Sequence, residues 1–291
     1  MKKNIRAFLY LVAVAGLFAS CSPKVTKTEP DLIKPVAPVS PYAATNAVYA
    51  AKADSLLNIT KLQQPAMLFD SAGVAVPSDW AGSVNFGIRK ANYVIIHFTA
   101  QDSVAQTIRT FTLKSTEVSA HYVIGKDGKV FHMVNDYLRS NHAGFGKWGS
   151  VTDMNSVSLG IEIDNNGTEP FTDAQIKSLL ILLDQLKRNY NIPTANFIGH
   201  QDFAPKRKPD PGPLFPWKTL ADHGFGYWSD PVLEPAPEDF DYAIALRLIG
   251  YDTSDINAAI IAFKRHFVQD NNTAQLSQLD LNILYNVYQK Y

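Results

Sequence analysis

Hydrophobic and polar positions change period several times along this chain. Tyr93-Val94-Ile95-Ile96-His97-Phe98 is apolar on both faces of a strand except at His97, the pattern of a strand buried on both sides. Ser103 and Gln106, placed ahead of Ile108 and Phe111, predict a capped helix. Residues 120–124 and 129–134 flank Lys126-Asp127-Gly128, which predicts a hairpin turning at Asp127-Gly128. Residues 158–164 read as another strand. Thr172 with Gln175 caps a long helix carrying Ile176, Leu179, Leu180, Leu183 and Leu186. Residues 196–199 then lead into residues 200–213, a stretch so rich in proline that it reads as a rigid loop rather than a helix or central strand. The alternation predicts an α/β fold, a mixed central β-sheet flanked by helices.

Past the prolines at 231, 235 and 237 the pattern is all helical. Ile256, Ile260, Phe263 and Phe267 follow helical spacing, with Ser254 as the expected cap. Residues 240–248 and 279–288 supply two more helices. Together they predict a small C-terminal three-helix bundle over residues 237–291, near the lower size limit for folding alone. Residues 46–87 are less defined: 44–57 fits a helix, and 73–82 is turn-rich. There are no internal repeats.

Composition narrows the class. The chain has 291 residues, 46% hydrophobic and 19% charged, enough for one sizeable domain and a smaller one. Its net charge of zero implies no strong electrostatic partner such as nucleic acid, and its single cysteine excludes an intrachain disulfide. The start of the chain reads as an export signal. Met1-Lys2-Lys3-Asn4-Ile5-Arg6 is basic, residues 7–18 are apolar but too short to span a bilayer, and Ala19-Ser20-Cys21 follows. One reading is an ordinary cleaved signal. The sharper one is a bacterial lipoprotein signal in residues 1–21, with Cys21 lipidated as the first mature residue. The arrangement resembles a lipobox, with Phe18 where leucine is usual. Residues 22–45, rich in Pro, Lys, Thr and Ser, read as a tether. The expected organisation is a signal over 1–21, tether and N-terminal extension over 22–87, a catalytic domain over 88–230 and the helical domain over 237–291.

The candidate chemistry sits around the proline-rich stretch. Lys208 and Asp210 each precede a proline, which biases both to extended backbone. The loop can therefore gather His200, Lys208 and Asp210 around one point: an imidazole, an ammonium and a carboxylate. A lone His97 in an apolar strand is more often a core residue than a ligand. Joined to His200 and Asp210 it completes a common zinc set, with a fourth position left for water. Glu162 and Asp164 share one face of their strand. That face could be the solvated side of an edge strand. If it faces the metal, Glu162 can move a proton from water to a leaving amine, and Lys208 can stabilise the oxyanion. These are the parts of a metal-assisted amide hydrolase.

Val94-Ile95-Ile96-His97-Phe98-Thr99, Val118-Ser119-Ala120-His121-Tyr122, Asn141-His142-Ala143-Gly144, Leu159-Gly160-Ile161-Glu162 and the 200–213 loop occur in this order. As an ordered set they closely resemble the type 2 N-acetylmuramoyl-L-alanine amidases, a family that includes peptidoglycan recognition proteins. The resemblance covers roughly residues 90–228. It implies a zinc enzyme that cuts between the lactyl group of N-acetylmuramic acid and L-alanine of the stem peptide. It makes His97, His200 and Asp210 the ligands of one Zn2+, Glu162 the acid/base and Lys208 the transition-state lysine. Aspartate in place of cysteine as third ligand resembles the lipid-anchored Gram-negative branch, whose members act on ordinary and anhydro-muropeptides. Asn141 departs from relatives with tryptophan before His-Ala-Gly. His142 is expected to line the substrate cleft; His121 has a structural reading of equal standing; His132, His223 and His266 read as packing or surface residues. Leu248-Ile249-Gly250-Tyr251 and residues 262–267 resemble a peptidoglycan-binding domain of three-helix type, with a packing cap for the catalytic domain as the alternative. The implied partners are peptidoglycan or muropeptides and a membrane reached through the lipid anchor. The implied state is a monomer on the outer membrane, facing the periplasm. The rival classes are a non-catalytic peptidoglycan binder on the same fold and a zinc peptidase acting on stem peptides.

Overall fold

Residues 63–88, 91–269 and 273–291 are described by the structure, a computed structural model, and all belong to one compact unit, Tyr42–Tyr291. The expected signal, Cys21, the tether and the candidate helix at 44–57 lie outside the described residues.

In chain order the strands are β1 Leu68–Phe69, β2 Ala75–Val76, β3 Ser78–Trp80, β4 Phe86–Ile88, β5 Tyr93–Phe98, β6 Tyr122–Ile124, β7 Val130–His132, β8 Leu138–Ser140, β9 Ser158–Ile163 and β10 Phe197–Gly199. The helices are α1 Val104–Thr112, α2 Met154–Val157, α3 Asp173–Tyr190, α4 His200–Phe203, α5 Trp217–Asp222, α6 Tyr242–Ile249, α7 Ile256–Phe263 and α8 Gln278–Tyr288. A six-stranded sheet runs β10-β5-β9-β6-β7-β3. Its first four strands are parallel; β6 and β7 form the antiparallel hairpin expected around Asp127-Gly128. The mixed sheet flanked by helices is as the sequence predicts.

Strand alternation divides the core in two. Val94 and Ile96 of β5, Leu159, Ile161 and Ile163 of β9, and Phe197 of β10 face one side, packed against Leu179, Leu182, Leu183 and Leu186 of α3. The capping box of α3 is present: Thr172 Oγ1 accepts from Gln175 N–H at 3.1 Å, and Gln175 Oε1 accepts from Thr172 N–H at 2.9 Å. Ile95 and Ile198 face the other side. They share a core with Trp148, Phe203, Tyr251, Phe263 and Leu284, which come from the loop before α2, from α4 and from the C-terminal helices. A third cluster under α1, with Phe111, Ala120 and Val123, covers the same face farther along the sheet. The C-terminal helices therefore close part of the core of the sheet, and a cleft opens beside the end of α1 at Thr110 and Phe111.

Four readings change. Residues 200–203 are helical, because Asp202 reaches back to accept the Gly199 N–H at 2.7 Å and caps a turn before Pro205 ends it. The cap of α7 is Asp255, whose Oδ1 accepts from Ala258 N–H at 3.1 Å, not Ser254. Part of the N-terminal extension belongs to the main sheet, since β3 pairs in parallel with β7. Glu162 stands on a central strand flanked by β5 and β6, not on an edge. Among the described residues no helix is long and apolar enough to cross a membrane.

Candidate active site

The parallel strands β10, β5 and β9 end side by side, so their C-terminal ends bring chemistry to one place, as open α/β sheets do. His97 and Glu162 are direct cross-strand partners. Gly199 pairs with Ile96, which places His200 beside His97 at the start of α4. The backbone of the proline-rich loop returns to this point: Gln201 N–H donates to the Asp210 carbonyl at 2.7 Å.

Three side-chain atoms converge there. His97 Nδ1 lies 3.0 Å from His200 Nδ1 and 3.0 Å from Asp210 Oδ2, and His200 Nδ1 lies 3.1 Å from the same oxygen. All three residues are buried. The outer hydrogen bonds allow one consistent tautomer set. His200 Nε2 lies 2.9 Å from the Ala143 carbonyl, an acceptor, and 2.9 Å from Arg207 Nη2, a donor; with its proton turned to the carbonyl, Nδ1 is bare. Ser158 Oγ donates to the Met154 carbonyl at 2.6 Å and so accepts from His142 Nε2 at 3.2 Å. His142 Nδ1 then accepts from His97 Nε2 at 3.0 Å, which leaves His97 Nδ1 bare as well. In that tautomer set two nitrogen lone pairs and a carboxylate oxygen face one another at contact distance. Such a cluster is repulsive without a cation. Tetrahedral donors about 2.0 Å from an ion stand about 3.3 Å apart, close to the observed triangle. The residues fit a bound metal ion.

Burial pushes the His200 imidazole down to about 4 despite the neighbouring carboxylate, so it is neutral. Burial pushes the Asp210 carboxyl up, but with no ion bound the hydrogen bonds and charge of the His200 and His97 rings outweigh this and hold it well below the usual carboxylate range. A cation at the centre of the triad would replace those protons and keep the carboxylate ionised in the same way.

Glu162 stands next to this triad with Oε2 buried and unpartnered. Burial raises its carboxyl to about 7; His97 pulls it down, Asp210 pushes it up and Lys208 pulls it down again. Lys208 is exposed and lines the same cleft, a cavity of about 610 Å³ that also takes in Glu117, Asn141, Arg207 and His142. The volume suits a ligand of drug-like size. The structure therefore brings together His97, His200, Asp210, Glu162, Lys208 and His142. It adds a duty to His142, whose ring orders His97 as well as forming cleft wall. A Cβ on Gly160 would overlap that ring, which is why Leu-Gly-Ile-Glu carries glycine there. His121 is structural: its Nε2 meets the Leu138 carbonyl at 3.0 Å, and its Nδ1 accepts from Gly160 N–H at 3.0 Å.

Several supporting residues have no distinctive sequence signal. Asn155 Oδ1 accepts the backbone N–H groups of His142 and Ala143 at 3.0 and 2.8 Å. The Arg207 guanidinium donates to the carbonyls of Ala143 and Phe145 at 2.6 and 2.8 Å, fastening the His-Ala-Gly loop to the proline-rich one. Gly144, at φ +59, lets the guanidinium lie against its backbone. Ser158, the anchor of the tautomer chain, looks like an ordinary strand residue.

Comparison with known proteins bears on the same segment. A family model described as N-acetylmuramoyl-L-alanine amidase matches residues 88–213. The N-acetylmuramoyl-L-alanine amidase AmiD of Escherichia coli (strain K12) is 34% identical over 207 residues, 60% of this chain and 74% of that protein. The 1,6-anhydro-N-acetylmuramyl-L-alanine amidase AmpD of Enterobacter cloacae is 39% identical over 103 residues, 35% of this chain and 55% of that one. Among solved structures, the complex of E. coli AmiD with the substrate anhydro-N-acetylmuramic acid-L-Ala-D-gamma-Glu-L-Lys superposes with a TM-score of 0.62 at 28% identity. It covers 77% of this chain and 98% of that one. AmpDh3 from Pseudomonas aeruginosa gives 0.63 at 28% identity, over 70% and 93%. With the family model centred on the segment that carries the triad, the chain belongs to the N-acetylmuramoyl-L-alanine amidase family.

Proposed function

We propose that this chain is a zinc-dependent N-acetylmuramoyl-L-alanine amidase that releases stem peptides from muropeptides during cell-wall turnover or recycling. The observation that carries the reading is the triad of converging ligand atoms on His97, His200 and Asp210 with Glu162 in cross-strand register beside it. Two imidazoles and one carboxylate suit zinc better than magnesium or calcium. Once bound, zinc would supply Lewis acidity to the scissile carbonyl and an acidified water. Glu162 Oε2 takes the proton of the attacking water and passes it to the nitrogen of L-alanine as the C–N bond breaks. An ion's positive charge beside Glu162 favours its carboxylate form, as a base requires. The Lys208 ammonium, at the cleft wall, offsets the charge that develops on the carbonyl oxygen. A non-catalytic binder would have no use for this set.

The test is product analysis. Incubation with muropeptides carrying ordinary or anhydro sugar ends, followed by mass spectrometry, is expected to yield peptides that begin with L-alanine and sugars with a free lactyl carboxylate. Chelation should stop the reaction and zinc restore it. Cleavage inside the stem peptide instead would replace this reading with a zinc peptidase.

The reading extends to location. Cys21 after a short apolar run supports a lipid anchor on the outer membrane, facing the periplasm, with residues 22–45 as a tether. Wild-type chain is expected in the membrane fraction with lipid on Cys21, and Cys21→Ser in the soluble fraction. Wild-type protein recovered soluble and unlipidated would remove the anchor.

A further inference from the structure

Asp202 lies two residues beyond the ligand His200 and is fully buried. Three donors meet its carboxylate. Gly199 N–H reaches Oδ2 at 2.7 Å, His266 Nδ1 reaches the same oxygen at 2.8 Å, and the Tyr251 hydroxyl donates to Oδ1 at 3.1 Å. The first donor is local. The other two come from the C-terminal helical segment, some fifty and sixty residues away in sequence. His266 is fixed in turn by stacking on Trp217, with ring centroids 3.9 Å apart and planes 16° from parallel. Tyr251 sets its ring edge-on to Trp148 at 5.0 Å, and Gly149 N–H donates to the Gly250 carbonyl at 2.7 Å.

We propose that His266 and Tyr251 are positioning residues for the metal ligand His200, acting through Asp202. The shortness of α4 makes it depend on such ties. A helical turn of four residues has no stability of its own, because nucleation fixes several residues for one hydrogen bond. The back-bond from Gly199 to Asp202 holds this turn, and His200 is its first residue. That back-bond is only as well placed as the carboxylate, and His266 and Tyr251 hold the carboxylate. Removing one of these donors leaves a buried acceptor short of partners. Asp202 must then shift toward other donors, and the turn that aims the His200 ring shifts with it. The same face of the helical segment also seats the loop that follows His142-Ala143-Gly144. The C-terminal helices thus act as a clamp on the back of the metal site.

The inference rests on the zinc reading above, and the experiment separates the two. Zinc affinity of the full chain is measured by competition with a chromophoric chelator, alongside melting temperature in metal-free buffer. His266→Ala is expected to weaken zinc binding about ten-fold or more, in the range seen when outer partners of a metal ligand are lost. His266→Asn, which returns a donor near the position of Nδ1, should recover most of the loss. Tyr251→Phe keeps the ring against Trp148 and removes only the hydroxyl, so it tests the tie in a chain that still folds. Val287→Ala, a buried truncation elsewhere in the same helices, is the structural control. It should lower the melting temperature and leave zinc affinity near wild type. Wild-type affinity in both His266→Ala and Tyr251→Phe overturns the proposal while leaving the zinc reading intact. So does a Val287→Ala variant that loses zinc affinity in proportion to its stability. Wild-type chain that binds no zinc overturns both.

Discussion

Asp210→Ala is expected to lose zinc and turnover together. The residue supplies the only anionic atom of the triad, and its oxygen is within 3.1 Å of both ligand nitrogens. Loss of an outer partner of a metal ligand typically costs 10–100-fold in affinity. Removal of a ligand itself should exceed that, so a fall of more than about 10²-fold in zinc affinity is expected, with activity at background. Metal content after dialysis and chelator competition give the number. Asp210→Asn keeps the shape and one oxygen but removes the charge, and should fall between the two. Full zinc occupancy in Asp210→Ala would take Asp210 out of the ligand set and leave its burial unexplained.

The second large effect belongs to Glu162→Gln, and it runs in opposite directions for rate and stability. The amide cannot take a proton, so kcat should drop roughly 10²–10⁴-fold while zinc and muropeptide binding persist. The fold should gain. The Glu162 carboxyl sits at about 7 in the folded chain because burial disfavours its anion, against an ordinary value of 4.5. A raised folded pKa on a carboxyl means that the unfolded chain ionises first. The penalty is absent below about pH 4, grows up to about pH 7 and is constant above that. Metal-free Glu162→Gln should therefore melt with wild type at about pH 4 and a few degrees above it at about pH 8. Zinc should shrink that gap, because its charge stabilises the carboxylate. Calorimetry of both proteins with and without zinc reads all four cases. A variant that melts below wild type at alkaline pH, or turns over normally, would falsify the assignment of Glu162 as a desolvated base.

Much of this site is readable from residue order. His97 interrupts an otherwise apolar strand, and the proline-rich run returns His200 and Asp210 to one point because it cannot extend as helix or sheet. Capping chemistry at Thr172 and the Asp127-Gly128 turn are local signals, and both appear where expected. Tertiary ties are a different matter. Nothing in Ser158 or Asn155 marks them as anchors of the His142 ring and backbone, since their partners lie on other elements. Asp202 carried a local signal, three residues after Gly199, but the prolines that follow masked it. His266 reads as a packing residue, and so it is; what the sequence could not supply is the carboxylate that it packs against. The C-terminal helices resemble a wall-binding module in sequence, yet their apolar faces complete the core beneath Ile95 and Ile198.

His97 and Glu162 oppose each other in a parallel ladder, with neighbouring strands about 4.8 Å apart. The backbone spacing of His97 and Glu162 is thus set by peptide hydrogen bonds. The side chains of the loops at 99–101 and 117–119, which line the cleft, carry no share of that spacing; in them only the backbone N–H groups of Thr99 and Ala100 extend the ladder, to the Ile163 and Asn165 carbonyls at 3.1 Å. Such a division favours evolvability. Side-chain changes in those loops are expected to alter which sugar or peptide is accepted while the reacting groups keep their spacing. Directed libraries confined to those loops would explore selectivity on a constant reaction.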